Sequence, residues 1–248
     1  MWLRILFSSF LSIGIQQLCN AQIIISINHT NEKANISNQT GFFTDTTDAI
    51  PFSDIISGSY DDKFMVPGEN KKGPPGIIRT SIWCHFGIRN QTDEKLILVI
   101  DNAHTADLYY SHRGRFYHKA SSIYQPFYAR DIRSNRLSFL LDIARDSTRQ
   151  FYLKLQTNSG TRSPLVVHTI NSWIEREHHI LILDGIYMGV MIIMILYNLF
   201  IFLAIRDRSY LFYVLYVAFM TLTNMNIKSI SFEFLWPNTP VLNHYVNI

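Results

Sequence analysis

Cysteine is almost missing from this chain, with two residues in 248, Cys19 and Cys84. Cys19 falls in a stretch that reads as a removable leader. The single thiol then left cannot form an internal disulfide. Cys84 has one metal-binding neighbour type nearby, His85, too few for a metal site. Within the strand-like run SIWCHFGI it reads as a buried structural thiol. Catalytic signatures are missing too. There is no GxSxG, no HExxH and no Walker loop. No catalytic residue, metal ligand set or cofactor is therefore expected, and the chain is read as a non-enzyme. Basic clusters are also missing: the formal net charge of +3 is spread along the chain. That distribution offers no electrostatic footprint for nucleic acid.

Charge itself is scarce, and unevenly so. Charged residues make up 17% of the chain, against about 25% in an ordinary soluble domain. Gln22 to His178 carries 18 Lys/Arg and 16 Asp/Glu, whereas His179 to Ile248 carries three of each. The last third therefore has a different solvent from the rest. Ile180 to Ile205 is a run of 26 residues with one charge, Asp184. As a helix rising about 1.5 Å per residue, it crosses a hydrocarbon core of roughly 30 Å with room to tilt. Arg206-Asp207-Arg208-Ser209 follows, and Tyr210 to Lys228 forms a second, weaker span. The two arginines in that short turn agree with a cytoplasmic position for it, against Arg176 and Lys228 on the outer flanks.

The N-terminus suits that orientation. Arg4 precedes an apolar region from Ile5 to Ile15, and small residues at Cys19 and Ala21 suggest cleavage after Ala21. Residues 1–21 are read as a signal peptide that sends the following domain outward. Residues 22–75 are expected to hold a loosely ordered lead-in and first strands, because Asn28 to Asp48 is polar and has no period. Residues 76–172 are expected to form a β-sandwich sensor domain. Short strand-like runs occur at Ile82–Asn90, Leu96–Asn102, Ala106–Ala120, Arg136–Ile143, Arg149–Thr157 and Pro164–Ile170. Arg113-Gly114 supplies a tight turn inside the third. The fifth alternates clearly, with Phe151, Leu153 and Leu155 against Tyr152, Lys154 and Gln156. Such spacing predicts an antiparallel sandwich or jelly roll. The fold class is thus an all-β extracytoplasmic unit followed by transmembrane helices at 180–205 and 210–228. Residues 229–248 are read as an outer loop and the start of a third helix.

The segment GIYMGVMIIMILYNLFIFLAIRDRSYLFYVLY, Gly185 to Tyr216, resembles the first helices of bacterial 7TM receptors with diverse intracellular signalling modules (7TM-DISM). Gly185, Gly189, Tyr197, Asn198, Asp207, Arg208, Ser209, Tyr210 and Tyr213 carry that resemblance. FEFLWP, Phe232 to Pro237, resembles the outer loop before the third helix. IWCHFGIRN, the strand ending in IDN, and ADLYY resemble the family's type 2 extracellular domain. The likeness covers roughly Trp83 to Pro237. It implies a membrane sensory receptor of the bacterial inner membrane, with its N-terminal domain periplasmic. The family pattern continues through seven helices into an output module, so this sequence is expected to be C-terminally truncated, without that module. A membrane-tethered binding module without signalling, or a decayed receptor, is the alternative reading.

Ligand candidates are aromatic: Tyr109, Tyr110, Phe116, Tyr117, Tyr124, Phe127 and Tyr128. Of these, Tyr109, Tyr110, Tyr117 and Tyr124 are taken as the binding set. The family likeness implies a small-molecule or carbohydrate ligand stacked on exposed rings. Gly185 and Gly189 form a small-xxx-small pair that lets another helix approach. Asn198 lies deep enough to hydrogen-bond across helices. The expected partners of that surface are the remaining receptor helices or a second copy of the chain.

Overall fold

The computed structural model describes residues 24–66, 80–156 and 164–242. The expected signal peptide lies outside those residues, as do residues 67–79, 157–163 and 243–248, the last with most of the expected start of a third helix. Among the described residues ten strands come first: β1 (Ile24–Ile27), β2 (Lys33–Asn35), β3 (Gly41–Asp45), β4 (Ser81–Asn90), β5 (Leu96–Ile100), β6 (Thr105–His112), β7 (Arg115–Ser122), β8 (Leu137–Leu141), β9 (Ser147–Gln156) and β10 (Leu165–Thr169). A one-turn helix, α1 (Phe52–Ile56), sits between β3 and β4. Three helices follow the strands: α2 (Ile170–Ile205), α3 (Arg208–Ile227) and the short α4 (Ile230–Phe234).

The strands form two sheets. The larger runs β1-β4-β9-β6-β7, and the smaller runs β2-β10-β5-β8. Alternation in the sequence decides which side chains meet between them. On β9, Phe151, Leu153 and Leu155 are buried, while Tyr152, Lys154 and Gln156 point the other way and stay partly exposed. From the larger sheet they join Phe86, Ile88 and Leu108, and from the smaller sheet Leu98, Phe139 and Val167, in one core. Cys84 is in that core, and burial pushes its thiol pKa up to about 12. The β6–β7 hairpin closes through Arg113 and Gly114, both with positive φ, 52° and 73°. That is the type I′ pattern, whose twist matches paired strands.

The polar stretch Asn28–Asp48 is more ordered than its composition predicts, because it contributes β2 and β3. Its Asn and Asp side chains hold the connecting turns. Asn28 Oδ1 accepts from the Asn31 N–H at 2.8 Å, Asn35 Oδ1 from the Ser37 N–H at 3.1 Å, and Asp45 Oδ1 from the Thr47 N–H at 3.0 Å. β1 and β3 then share one edge of β4. β3 pairs antiparallel along Ser81–His85, and β1 pairs parallel along Gly87–Asn90.

α2 is longer than the expected span and grows directly out of the sandwich. Thr169 is its N-cap, and the Thr169 hydroxyl accepts from the Ser172 N–H. The Ile170 N–H donates to Lys95 O at 3.1 Å. Asn171 donates to the Glu94 carboxylate from its backbone at 3.1 Å and from its side chain at 2.7 Å. A carboxylate at a helix N-terminus also suits the helix dipole. The first turns of α2 pack back along β10 and β5. Consequently every residue of β5 is buried, those facing the core and those facing α2 alike.

Past that contact the helices change character. Ile186 on α2 is 61% exposed, Phe200 is 72% exposed, and Phe212 on α3 is 68% exposed. Both helices are long and apolar enough to cross a membrane. Arg206, in the left-handed conformation, ends α2, and the Asp207 side chain caps α3 by accepting from the Ser209 N–H. Val214, Val217 and Thr221 are the buried face of α3, spaced to meet α2 along one stripe.

Candidate functional site

The four candidate tyrosines fall in three different places. Tyr109 lies on the outer face of the larger sheet, under α1. Its ring stacks on Phe52 at 4.1 Å and on His118 at 4.6 Å. Burial, and then the neighbouring Asp107 carboxylate, push its phenol pKa up. Trp83, Phe43 and Ile55 form a second small core there.

Tyr110 and Tyr117 are directly opposed across the β6–β7 ladder on the other face, with ring centres 5.5 Å apart and planes 15° apart. Arg149 lies over Tyr110 at 5.5 Å, and its Nη2 is 2.7 Å from His112 Nδ1. Tyr117 is 43% exposed. This cluster therefore combines an accessible ring with guanidinium and imidazole groups. Tyr124 is at the opposite end of the sandwich, where its hydroxyl is 3.5 Å from His104 Nδ1.

That opposite end faces the membrane helices. Arg130, in the loop after β7, is buried against them. Its Nη1 donates to Ser134 O at 2.7 Å and its Nη2 to Ser122 O at 3.4 Å. Its guanidinium lies 5.3 Å from the Phe127 ring centre and 5.1 Å from that of Phe232 on α4. Phe127 and Phe232 meet edge to face at 5.7 Å, and the Phe127 N–H donates to Pro237 O at 3.0 Å. Burial lowers the Arg130 pKa to about 10, offset in part by Glu233. The loop 230–237 is thereby held to the sandwich. The sandwich thus has two attachments to the membrane segment, the covalent Thr169–Ile170 junction and this contact.

Between the two attachments lies a cavity of about 650 Å³. Asp101, Arg136, Glu177, Asp184 and Lys228 are its charged lining, with Asn102, His104, Asn135 and Ser229 as further polar groups. Arg136 pairs with Asp101 at 3.1 Å, and Lys228 pairs with Asp184. Asp184, the one charge in the long apolar run, thus has a partner at the outer end of α3.

The proposed packing residues are placed as follows. A Cβ added at Gly185 or Gly189 would meet nothing within 4 Å. Asn198 Nδ2 donates to Met194 O in its own helix at 2.8 Å. Among the described residues, no group of three or more His, Cys, Asp and Glu side chains could hold a metal ion.

Of the residues at this end, the sequence marks Asp184 and the segment holding Phe232, but not Arg130, Glu177 or Arg136. Arg130 stands among ordinary surface-type residues, and nothing local marks it as buried. Phe127 had stood among the aromatic candidates, and FEFLWP was legible as an outer loop, but not that the two meet.

A β-sandwich set directly on two helices long and apolar enough to cross a membrane is the architecture of a membrane-attached domain. Residues 37–169 match the family model described as 7TMR-DISM extracellular 2, and residues 180–248 match 7TM diverse intracellular signalling. The chain belongs to the family of 7TM receptors with diverse intracellular signalling. A comparison with curated proteins gave no match. Among solved structures, the chain is similar to a calcium binding mutant of Bacteroides uniformis beta-glucuronidase 2, at 10% identity and TM-score 0.27, over 54% of this chain and 18% of that one. It is also similar to insecticidal crystal protein Cry2Aa, at 12% identity and TM-score 0.21, over 41% of this chain and 19% of that one. The chain spans less than a fifth of either structure. Likeness at that level carries no argument.

Proposed function

We propose that this chain is the sensing part of a bacterial inner-membrane receptor. In this reading the sandwich faces the periplasm, binds a small ligand, and biases the helix bundle whose output lies on the cytoplasmic side. The division of the chain set out from the sequence is retained, with sensor before residue 172 and spans at 180–205 and 210–228. The observation that carries the reading is the junction at Thr169–Ile170. β10 runs into α2 with no intervening linker, and Lys95 and Glu94 bind the first turn. A rigid connection passes displacement of the sandwich to the helix, whereas a flexible tether would absorb it. A ligand shifts such a system by the difference in its affinity for the two states.

The ligand position best supported is the Tyr110–Tyr117 face, with a carbohydrate as the leading class. Exposed aromatic rings stack on the apolar faces of sugars, and Arg149 and His112 can bond hydroxyl groups. Tyr109 lies on the opposite face of the sheet and Tyr124 beside His104 at the other end of the sandwich, so neither belongs to that face. The test is a glycan and metabolite screen on the full chain in nanodiscs, followed by Tyr117→Ala. Saturable binding lost in that variant is the expected result. A screen with no binder at all, or binding indifferent to Tyr117 and Tyr110, removes the site. Inserting a flexible Gly-Ser linker after Thr169 tests coupling, and unchanged signalling from the full receptor locus would favour a simple tether.

A further inference from the structure

The Tyr110–Tyr117 face carries a charge that stacking on its rings does not use. Tyr110 and His112 are two residues apart on β6, and Tyr117 and Arg115 are two apart on β7, so all four lie on one face of the sheet. His112 is directly opposite Arg115, as Tyr110 is opposite Tyr117. Arg149 joins the row from β9, with its Nη2 2.7 Å from His112 Nδ1. Arg115, His112 and Arg149 therefore stand side by side on three adjacent strands, β7, β6 and β9. The row is two residues along from the stacked rings, about 7 Å. The ring centres of His112 and Tyr117 are 6.3 Å apart.

The protein does not neutralise this row. Arg89, Arg113, Arg115 and Arg149 make no ion pair among the described residues. Arg149 gives its N–H groups to uncharged acceptors, Asp142 O at 2.6 Å and His112 Nδ1. A guanidinium only donates, so His112 accepts at Nδ1 and carries its proton on Nε2 as a further donor. Nearby carboxylates are engaged elsewhere: Asp93 and Asp146 both pair with Arg145, and Asp131 pairs with Lys119. Asp142 remains, one carboxylate against four guanidinium groups without an acidic partner. Counting it and both carboxylates on Arg145, an excess of two positive charges is left around the row.

That excess selects the ligand. Like charges side by side on neighbouring strands destabilise each other, and a bound anion removes the cost. Planar guanidinium groups bond carboxylates and other multi-oxygen anions through parallel N–H donors. The rings beside them take an apolar ring face. An acidic sugar carries both features on one frame. Its ring can cover Tyr117 while its charged group reaches Arg115 and Arg149. A neutral sugar satisfies the rings and leaves the row as it was.

We propose that the Tyr110–Tyr117 face binds an acidic saccharide, with the sugar ring on Tyr117 and its anionic group held by Arg115 and Arg149. Uronic acids and sulfate esters both supply such a group. This inference rests on the carbohydrate reading of the same face and adds the charge of the ligand.

The test uses the full chain in phosphatidylcholine nanodiscs, whose lipid has no net charge. Oligomers of galacturonate, of mannuronate and of hyaluronan are titrated by calorimetry beside their carboxyl-reduced forms. Sulfated galactan oligomers are titrated beside their desulfated forms. A uronate source predicts that a carboxylate oligomer binds roughly tenfold or more tighter than its reduced form, the size of one hydrogen bond to a charged group. A sulfate source predicts the same margin in the sulfated pair instead. In either case the margin should shrink as salt is raised, because these charges are near the surface. Arg115→Gln and Arg149→Gln should each weaken the acidic ligand by roughly tenfold. Arg115 is exposed and its side chain makes no hydrogen bond or ion pair among the described residues, so its variant separates binding from folding. Equal affinity for acidic and neutral members overturns the proposal and leaves a receptor for neutral sugars. Binding by no member overturns the proposal together with the carbohydrate reading. An acidic preference that survives both variants puts the anion elsewhere and also overturns it.

Discussion

The guanidinium of Arg130, on a loop of the sandwich, lies 5.1 Å from the ring centre of Phe232, on the short helix α4 that follows the second membrane helix. These two residues belong to different parts of the molecule, and both are buried at the place where the parts meet. The cation-π contact is desolvated, where such contacts are worth about 2 kcal/mol.

Arg130→Ala should therefore loosen the outer loop and leave Ser134 O and Ser122 O without their donor. A loss of about 1–3 kcal/mol is expected for the contact. Arg130→Lys should not restore it, because an ammonium lacks the planar fork that reaches both carbonyls and both rings. Limited proteolysis within 230–237 provides the measurement, with faster cleavage in both variants. Unchanged cleavage would show that the loop is held by something else.

His168 makes stability depend on pH. It is buried on β10, on the face covered by α2, and its pKa falls from 6.5 to about 4. Burial is the main cause, followed by the positive charges of Lys33 and Arg136, with Asp101 opposing them. Between about pH 4 and 6.5 the unfolded chain binds a proton that the folded chain does not. Stability contributed by this residue is thus present above 6.5 and declines as pH falls toward 4. The decline should be on the order of 1–3 kcal/mol. Denaturant melts of the sandwich at pH 7 and pH 5 should show it, and a variant replacing His168 with an uncharged side chain should flatten the difference.

Two aromatic residues on opposite faces of the larger sheet should behave oppositely. Trp83 is 1% exposed, so Trp83→Ala should cost about 3–5 kcal/mol of stability. Tyr117 is far more accessible, and Tyr117→Ala should cost less than about 1 kcal/mol. Glycan affinity should fall for the tyrosine variant, measured at a temperature where both variants remain folded. A large stability loss at Tyr117 would mark it as a packing residue instead.

Asp184 and Lys228 tie the outer ends of α2 and α3 together. Asp184→Asn or Lys228→Met alone leaves one charge without its partner near the bilayer. The double variant should therefore be less damaging than the sum of the singles, with a coupling of about 1–3 kcal/mol. Unfolding of all four proteins in mixed micelles closes the cycle, and additive effects would deny the pair a role.

Gly185 and Gly189 face open space relative to α3 and the sandwich. Alanine at either position should leave the α2–α3 hairpin as stable as before or slightly more so, since Ala favours helix over Gly by about 1 kcal/mol. Cross-linking between cysteines placed on α2 and α3 should be unchanged. Any loss in assembly with further helices or a second copy would then be attributable to that free surface.

Local pattern carried a large part of this architecture. The alternation at Phe151–Gln156, the Arg113-Gly114 turn and the scarcity of charge after His179 each identify their element from a few neighbouring residues. Strand faces and membrane spans follow periods of two residues and lengths of about 20, which can be read along the chain. What depends on distant partners could not be read that way. β2 and β3 lie in a polar stretch and become strands because β10 and β4 offer them edges. Ile97, Val99 and His168 become buried on a second face because α2 folds back over them. Arg130 owes its burial to a loop about a hundred residues further on. The cavity exists because sandwich loops, one face of α2 and the end of α3 converge. Burial of a charged or polar group is set by what stands opposite it in space, and that is decided by tertiary structure.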